Sequence, residues 1–284
     1  MHELLIEQLN AAHGTSFRLV RRYADGEQGA FALLDAAGEA FALKVSGNRS
    51  EVARLQVVAA QVAQLRDHGY PAPRYVLVGA TTTHAYSVQA ALPGAPLRRV
   101  SAAQLPQLLA LNALQAGQAL SADDDPWPGP VVTPTREGGP GYCLLEPMRA
   151  YSVETAALLD RLQAIVRCGA ALALPQGDLV HFDFTPLNIL ATGERISGVI
   201  DWDGICAGDR AFDLVTLLFY SHQDAIVAEG LYEAARAMVG PKAVALYLAH
   251  LAHRQLDWTI RFHDAAAVAY VLDVAHRQLG RFAV

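Results

Sequence analysis

His181-Phe182-Asp183-Phe184-Thr185-Pro186-Leu187-Asn188, with Asp201-Trp202-Asp203-Gly204 beginning thirteen residues after Asn188, is the most informative stretch of this chain. Between the two segments, Ile189 to Ile200 consists of two apolar runs flanking Thr192-Gly193-Glu194, the pattern of a β-hairpin with a glycine turn. A hairpin there returns the chain so that Asn188 lies beside Asp201. One carboxylate, one amide and a second carboxylate then converge, a set of oxygens suited to taking a proton and holding a hard cation. Asp and Asn are also favoured in turns and caps for local hydrogen-bonding reasons. The loop alone fits that plainer reading; loop, hairpin and second acidic turn together do not.

Phosphoryl transfer needs this convergence, because it asks for an aimed acceptor oxygen and for positive charge where negative charge spreads. In the H-x-D-x4-N template the Asp receives the hydroxyl proton, the Asn serves magnesium, and a later Asp holds the metal bridging the phosphates. Asp183 is thus the candidate catalytic residue, and Asn188 and Asp201 are the candidate metal ligands. The implied cofactors are Mg2+ with ATP or GTP as donor. His181 fits an orienting role, and Asp203 is a second possible ligand.

Upstream, Phe17 to Val45 reads as three short antiparallel strands, with a turn at Asp35-Ala36-Ala37-Gly38. Lys44 lies near the end of the third, in Phe41-Ala42-Leu43-Lys44-Val45, where a kinase keeps the lysine that holds phosphates. It is one of only two lysines against twenty arginines, and a compact ammonium suits a point contact on phosphate. Asp25-Gly26-Glu27-Gln28-Gly29 offers backbone N–H groups that could cover phosphates. Ser50 reads as the cap of a helix closed by Gly69-Tyr70-Pro71, which makes Glu51 the candidate partner of Lys44. Two further strands end at Ala90-Ala91-Leu92-Pro93-Gly94, a hinge at which the main chains of Gln89 and Ala91 would read the adenine edge.

At 284 residues, 52% hydrophobic and 18% charged, the chain has the composition of a well-cored globular protein. No apolar run approaches the roughly 20 residues of a membrane helix, the N-terminus lacks a signal-peptide pattern, and Cys143, Cys168 and Cys206 form no pairing motif. A cytoplasmic protein without membrane attachment is expected. Eight acidic and eight basic residues occur through Leu97, against twenty and fourteen from Arg98 onward. This surplus disfavours nucleic acid and points to a cationic small-molecule substrate, although mild acidity also serves solubility.

Val180 to Leu190, Gly198 to Asp203 and Gly208 to Leu214, with Lys44 and the hinge, resemble the aminoglycoside phosphotransferase family, small-molecule kinases with a protein-kinase-like fold. The resemblance runs from about Phe17 to Leu218. It implies an α+β fold of two lobes: residues 1–92 as a nucleotide-binding lobe of antiparallel sheet plus helix, and residues 93–284 as a larger, mainly helical catalytic and substrate lobe. Phe182 and Phe184 stand where the family usually has Gly and a small or aliphatic residue, so the acceptor side of the loop is expected to differ in shape. Asp209 and Asp213 are expected to cap a helix and brace the loop.

Periodicity places helices at Leu105–Leu120, Ser152–Leu174, Asp213–Tyr220, Glu229–Val239 and Val244–His276, with a loop rich in Pro, Gly and acid from Asp123 to Gly141. Within the family the acceptor pocket uses late helices and acids, here Asp209, Asp224, Glu229, Asp257 and Trp258. The resulting expectation is an ATP- or GTP-dependent O-phosphotransferase acting on a cationic antibiotic, either an aminoglycoside or a viomycin-type basic peptide, and so conferring resistance. A metabolic kinase for choline, homoserine or a sugar is the alternative. A silent nucleotide-binding module stands further off.

Overall fold

A computed structural model describes residues 2–23, 30–119 and 126–282. The turn Asp25–Gly29 and the acidic run Asp123–Asp125 lie outside them. Two compact units emerge, one built from residues 1–95, 190–192 and 197–203, the other from 96–189, 193–196 and 204–284.

The first unit begins with α1 (His2–His13), which no sequence signal had suggested, and β1 (Arg18–Arg22), β2 (Phe31–Leu34) and β3 (Ala40–Ser46) follow. After α2 (Val52–Asp67) come β4 (Tyr75–Ala80) and β5 (Ala85–Ala90), which complete an antiparallel sheet of order β1-β2-β3-β5-β4. Alternation sets the inner face: Phe31 and Leu33 of β2, Phe41 and Leu43 of β3, and Tyr86 and Val88 of β5 join Ile6 and Leu9 of α1 in one buried cluster. In α2, Leu55, Val58, Val62 and Leu65 are buried at helical spacing. Each contributes about 1.5–3 kcal/mol by leaving water. Ser50 does not cap α2: Asn48 caps a short 3-10 turn ahead of it, its side chain accepting the Ser50 N–H at 3.1 Å, and α2 itself, with Glu51 at its N-cap position, has no side-chain cap.

β6 (Ala95–Pro96) marks the change of unit. The second unit holds α3 (Leu105–Leu114), α4 (Gly129–Glu137), α5 (Leu145–Tyr151), α6 (Val153–Gly169) and β7 (Asp178–Val180). The hairpin β8 (Ile189–Thr192) and β9 (Arg195–Val199) forms as its sequence demands, with Gly193 at φ 61° in the turn. Then follow β10 (Cys206–Gly208), α7 (Ala211–Tyr220), α8 (Ala225–Phe262) and α9 (Ala265–Leu279).

Two expectations change here. The supposed loop from Asp123 to Gly141 contains α4, and the expected helix from Val244 to His276 breaks at His263, where the Asp264 side chain accepts the Ala267 N–H and starts α9. Conversely, α8 joins two expected helices across a kink at Gly240, whose φ of 81° is followed by Pro241. Its C-terminal half is the hub of this unit, with Val244, Leu246, Tyr247, Leu248 and Leu251 buried against α4, α6 and α7. The fold is therefore α+β, an antiparallel N-terminal sheet followed by a larger helical part. No described helix is long and apolar enough to cross a membrane.

Candidate active site

In the second unit, β7 pairs antiparallel with β10 and delivers the chain to the loop at His181. Asp213, at the third position of α7, is fully buried and receives the end of that strand. One of its oxygens accepts the His181 N–H at 2.8 Å and the Gln115 amide at 2.7 Å, and the other accepts the Phe182 N–H at 3.1 Å. Burial pushes its carboxyl pKa up against the pull of these donors. His181 is buried too, and its Nδ1 accepts the Asp183 N–H at 3.3 Å, an orienting role as the sequence suggests.

Phe182 occupies the left-handed region at φ 68°, which explains why a glycine would be at home there. Its ring stacks on Phe212 at 5.0 Å and 16° and stands edge-on to Trp127, so packing holds a conformation the residue itself disfavours. Phe184 is fully buried. The expectation that both phenylalanines shape the acceptor side therefore holds open only for Phe182.

The Asp183 carboxylate is 37% exposed, and each of its oxygens has a partner. Oδ2 accepts the Asn188 amide at 2.9 Å, which also donates to the Asp183 carbonyl at 2.9 Å. Oδ1 accepts Arg254 from α8, whose other nitrogen donates to the Phe182 carbonyl at 2.9 Å. The sequence reading missed Arg254: a single arginine inside a helix carries no motif, and the two residues are 71 positions apart.

In the first unit, Asp201 stands at φ 66°, a conformation Asp tolerates better than most residues. Trp202 is fully buried edge-on to Tyr70, with its indole N–H on the Val199 carbonyl at 2.8 Å. That anchor leaves the flanking acids on Lys44, whose ammonium donates to Asp201 at 2.5 Å and to Asp203 at 2.8 Å. Burial alone would lower the Lys44 pKa, but the two carboxylates outweigh it and the net shift is upward. Arg54 donates to the Asp203 carbonyl at 2.9 Å. Asp203 Oδ1 and the Tyr75 hydroxyl are buried and unpartnered.

Two expected nucleotide contacts are corrected. Glu51 does not meet Lys44: it closes the 3-10 turn before α2 and is exposed, while Lys44 takes Asp201 and Asp203. The Ala91 N–H donates to the Ala40 carbonyl at 3.0 Å, and Gln89 lies in β5 between Ala42 of β3 and Tyr75 of β4. Gln89 thus lies inside the sheet, and the Ala91 N–H just past β5 is tied to its edge, so that N–H is not available to read an adenine edge.

The donor set fits magnesium. Asp201 and Asp203 already gather around one cation, Lys44, and leave a buried oxygen unsatisfied. No group of three or more His, Cys, Asp or Glu able to hold a metal occurs among the described residues. Magnesium keeps water and substrate phosphate in its shell and takes only one or two protein carboxylates, and this turn offers two.

A profile of the APH phosphotransferase enzyme family matches residues 19–247. No curated protein matches the chain. Among solved structures, aminoglycoside phosphotransferase APH(4)-Ia is 19% identical over 100% of both chains with a TM-score of 0.72. Choline kinase LicA from Streptococcus pneumoniae is 14% identical over 99% of each chain with a TM-score of 0.70. The macrolide 2'-phosphotransferase MphH from Brachybacterium faecium is 18% identical over 95% of this chain and 96% of its own, with a TM-score of 0.59. These likenesses are of fold, and the family profile adds the chemistry: the chain belongs to the APH family and is a phosphotransferase.

Proposed function

We propose that this enzyme moves the γ-phosphoryl group of ATP to a hydroxyl of a small molecule, with Asp183 as the base. The observation that carries the reading is the Asp183 carboxylate, partly exposed at the end of a loop whose backbone is pinned by buried Asp213 and whose second oxygen is fixed by Asn188. The acceptor oxygen attacks the γ-phosphorus, the bond to the β,γ-bridging oxygen breaks, ADP leaves, and the hydroxyl proton passes to Asp183 and then to solvent. In a loose transition state that proton moves late, so aiming the oxygen matters more than basicity, and an arginine on the base is tolerable.

Lys44 would hold the donor's phosphates once it leaves Asp201 and Asp203. Asp201 and Asn188 would hold Mg2+, with Asp203 beside them. When bound, the ion neutralises charge on the β- and γ-oxygens. The main chain at the end of β5, around Gln89 and Ala91, would take the adenine edge. ATP as donor is supported by variants of APH(4)-Ia crystallised with hygromycin B and either ADP or AMP-PNP; GTP belongs in the same assay as a rival.

Incubating the chain with ATP, magnesium and a panel of hydroxyl compounds, then searching by mass for a phosphorylated product, tests the reading. ATP binding without any product would favour a silent nucleotide-binding module. Protection of a susceptible bacterium by the expressed chain would identify the acceptor as an antibiotic, and its failure would turn the reading toward a metabolic alcohol.

A further inference from the structure

The surroundings of Asp183 speak against the cationic acceptor expected from the chain's charge balance. Each acid considered for holding ammonium groups already has a partner. Asp209 is buried and accepts Tyr247 at 2.5 Å and the Ala211 N–H at 2.9 Å. Asp224 caps α8 through the Val227 N–H at 3.0 Å, Glu229 pairs with Arg281 at 3.0 Å, and fully buried Asp257 pairs with Arg261 at 2.8 Å. The Asp123–Asp125 run is outside the described residues and outside this count.

What meets Asp183 instead is a cation. Arg254 bonds its Oδ1 and sits over the Phe182 ring at 5.8 Å. One heptad further along α8, Arg261 covers Trp258 at 5.8 Å and Phe262 at 4.8 Å, and Phe262 is 56% exposed. The aromatic faces that would attract an ammonium are thus already occupied by guanidinium groups. An alcohol brought to Asp183 with an ammonium on the neighbouring carbon would set like charges a few ångströms apart in a partly desolvated place.

We infer that Arg254 sets acceptor selectivity, and that the acceptor is a neutral or anionic alcohol with an apolar or aromatic body and no ammonium beside the reacting hydroxyl. This rests on Asp183 being the base. Arg254 then donates to the acceptor's own oxygen groups, and the side of Phe262 left exposed takes its apolar part.

The test uses the full chain with magnesium and ATP, reading ADP release with octyl glucoside, its 2-amino-2-deoxy twin and hygromycin B. The neutral twin should exceed the amine twin at least tenfold in kcat/KM, and Arg254→Gln should narrow that ratio to below threefold. Where neither twin is phosphorylated, the same ratio is read from their inhibition of ATP hydrolysis by water. Preference for the amine twin or for hygromycin B, or an unchanged ratio in Arg254→Gln, overturns the inference and leaves the phosphotransferase reading standing. Bound ATP with neither transfer nor hydrolysis would overturn the assignment of Asp183, and this inference with it.

Discussion

Asp213 accepts the main-chain N–H groups of both His181 and Phe182, at 2.8 and 3.1 Å, so one buried carboxylate fixes the backbone that aims Asp183. Asp213→Ala strands those two N–H groups and the Gln115 amide in an apolar interior. A loss of about 3 kcal/mol is expected from orphaned buried donors. Denaturant unfolding should show it, together with a fall in kcat larger than in KM.

Phe182→Gly sets two effects against each other. Relief of the left-handed backbone is worth about 1 kcal/mol. Lost burial and stacking against Phe212 cost about 2–3 kcal/mol. The variant should therefore be less stable than the parent by roughly 1–2 kcal/mol, and Phe212→Ala, which relieves no strain, should cost about 3–5 kcal/mol. Equal losses in the two variants would remove the case for strain at Phe182.

Lys44 neutralises Asp201 and Asp203, so Lys44→Met leaves two acids facing each other. ATP affinity should fall at least tenfold, by loss of a charged phosphate contact. In the absence of nucleotide, magnesium should raise the Tm of the variant more than that of the parent, because the cation no longer competes with an ammonium. An equal magnesium effect in both proteins would argue that these two carboxylates do not receive the ion.

Burial raises the Asp209 pKa to about 6 despite the donors Tyr247 and Ala211. A carboxyl with a raised folded-state pKa binds its proton more tightly when folded, so its stabilising effect is complete below the unfolded value near 4 and is lost as pH rises to 6. Near neutrality the cost is on the order of 3 kcal/mol. Asp209→Asn should flatten the dependence of unfolding free energy on pH between 4 and 6, as followed by urea titration at several pH values.

The parts of this enzyme readable from sequence are those in which a few adjacent residues carry the constraint. Gly193 between two apolar runs gives the hairpin, and the alternation from Phe31 to Val45 gives two strands. The loop from His181 to Asn188 is local, and so its oxygens could be named. Arg254 on Asp183 and Gln115 on Asp213 join positions 71 and 98 apart, and neither leaves a periodic trace. The helix α4 was hidden by Pro128, Pro130 and Pro134, two of which sit harmlessly at its start. Glu51 was misread because the residue type suited an ion pair, whereas the 3-10 turn left it in solvent. Likewise the bond from the Ala91 N–H to the Ala40 carbonyl joins positions too far apart for a local pattern to mark.

The central claim is that Asp183 takes the acceptor's proton, and Asp183→Asn tests it most directly, since the amide keeps the size and most of the hydrogen bonding to Asn188 and the loop. Single-turnover phosphoryl transfer from labelled ATP to an alcohol acceptor should fall by about 10²–10⁴-fold, while the Kd for magnesium–ATP stays within about threefold of the parent. A variant that transfers phosphate at the parent's rate would contradict the account.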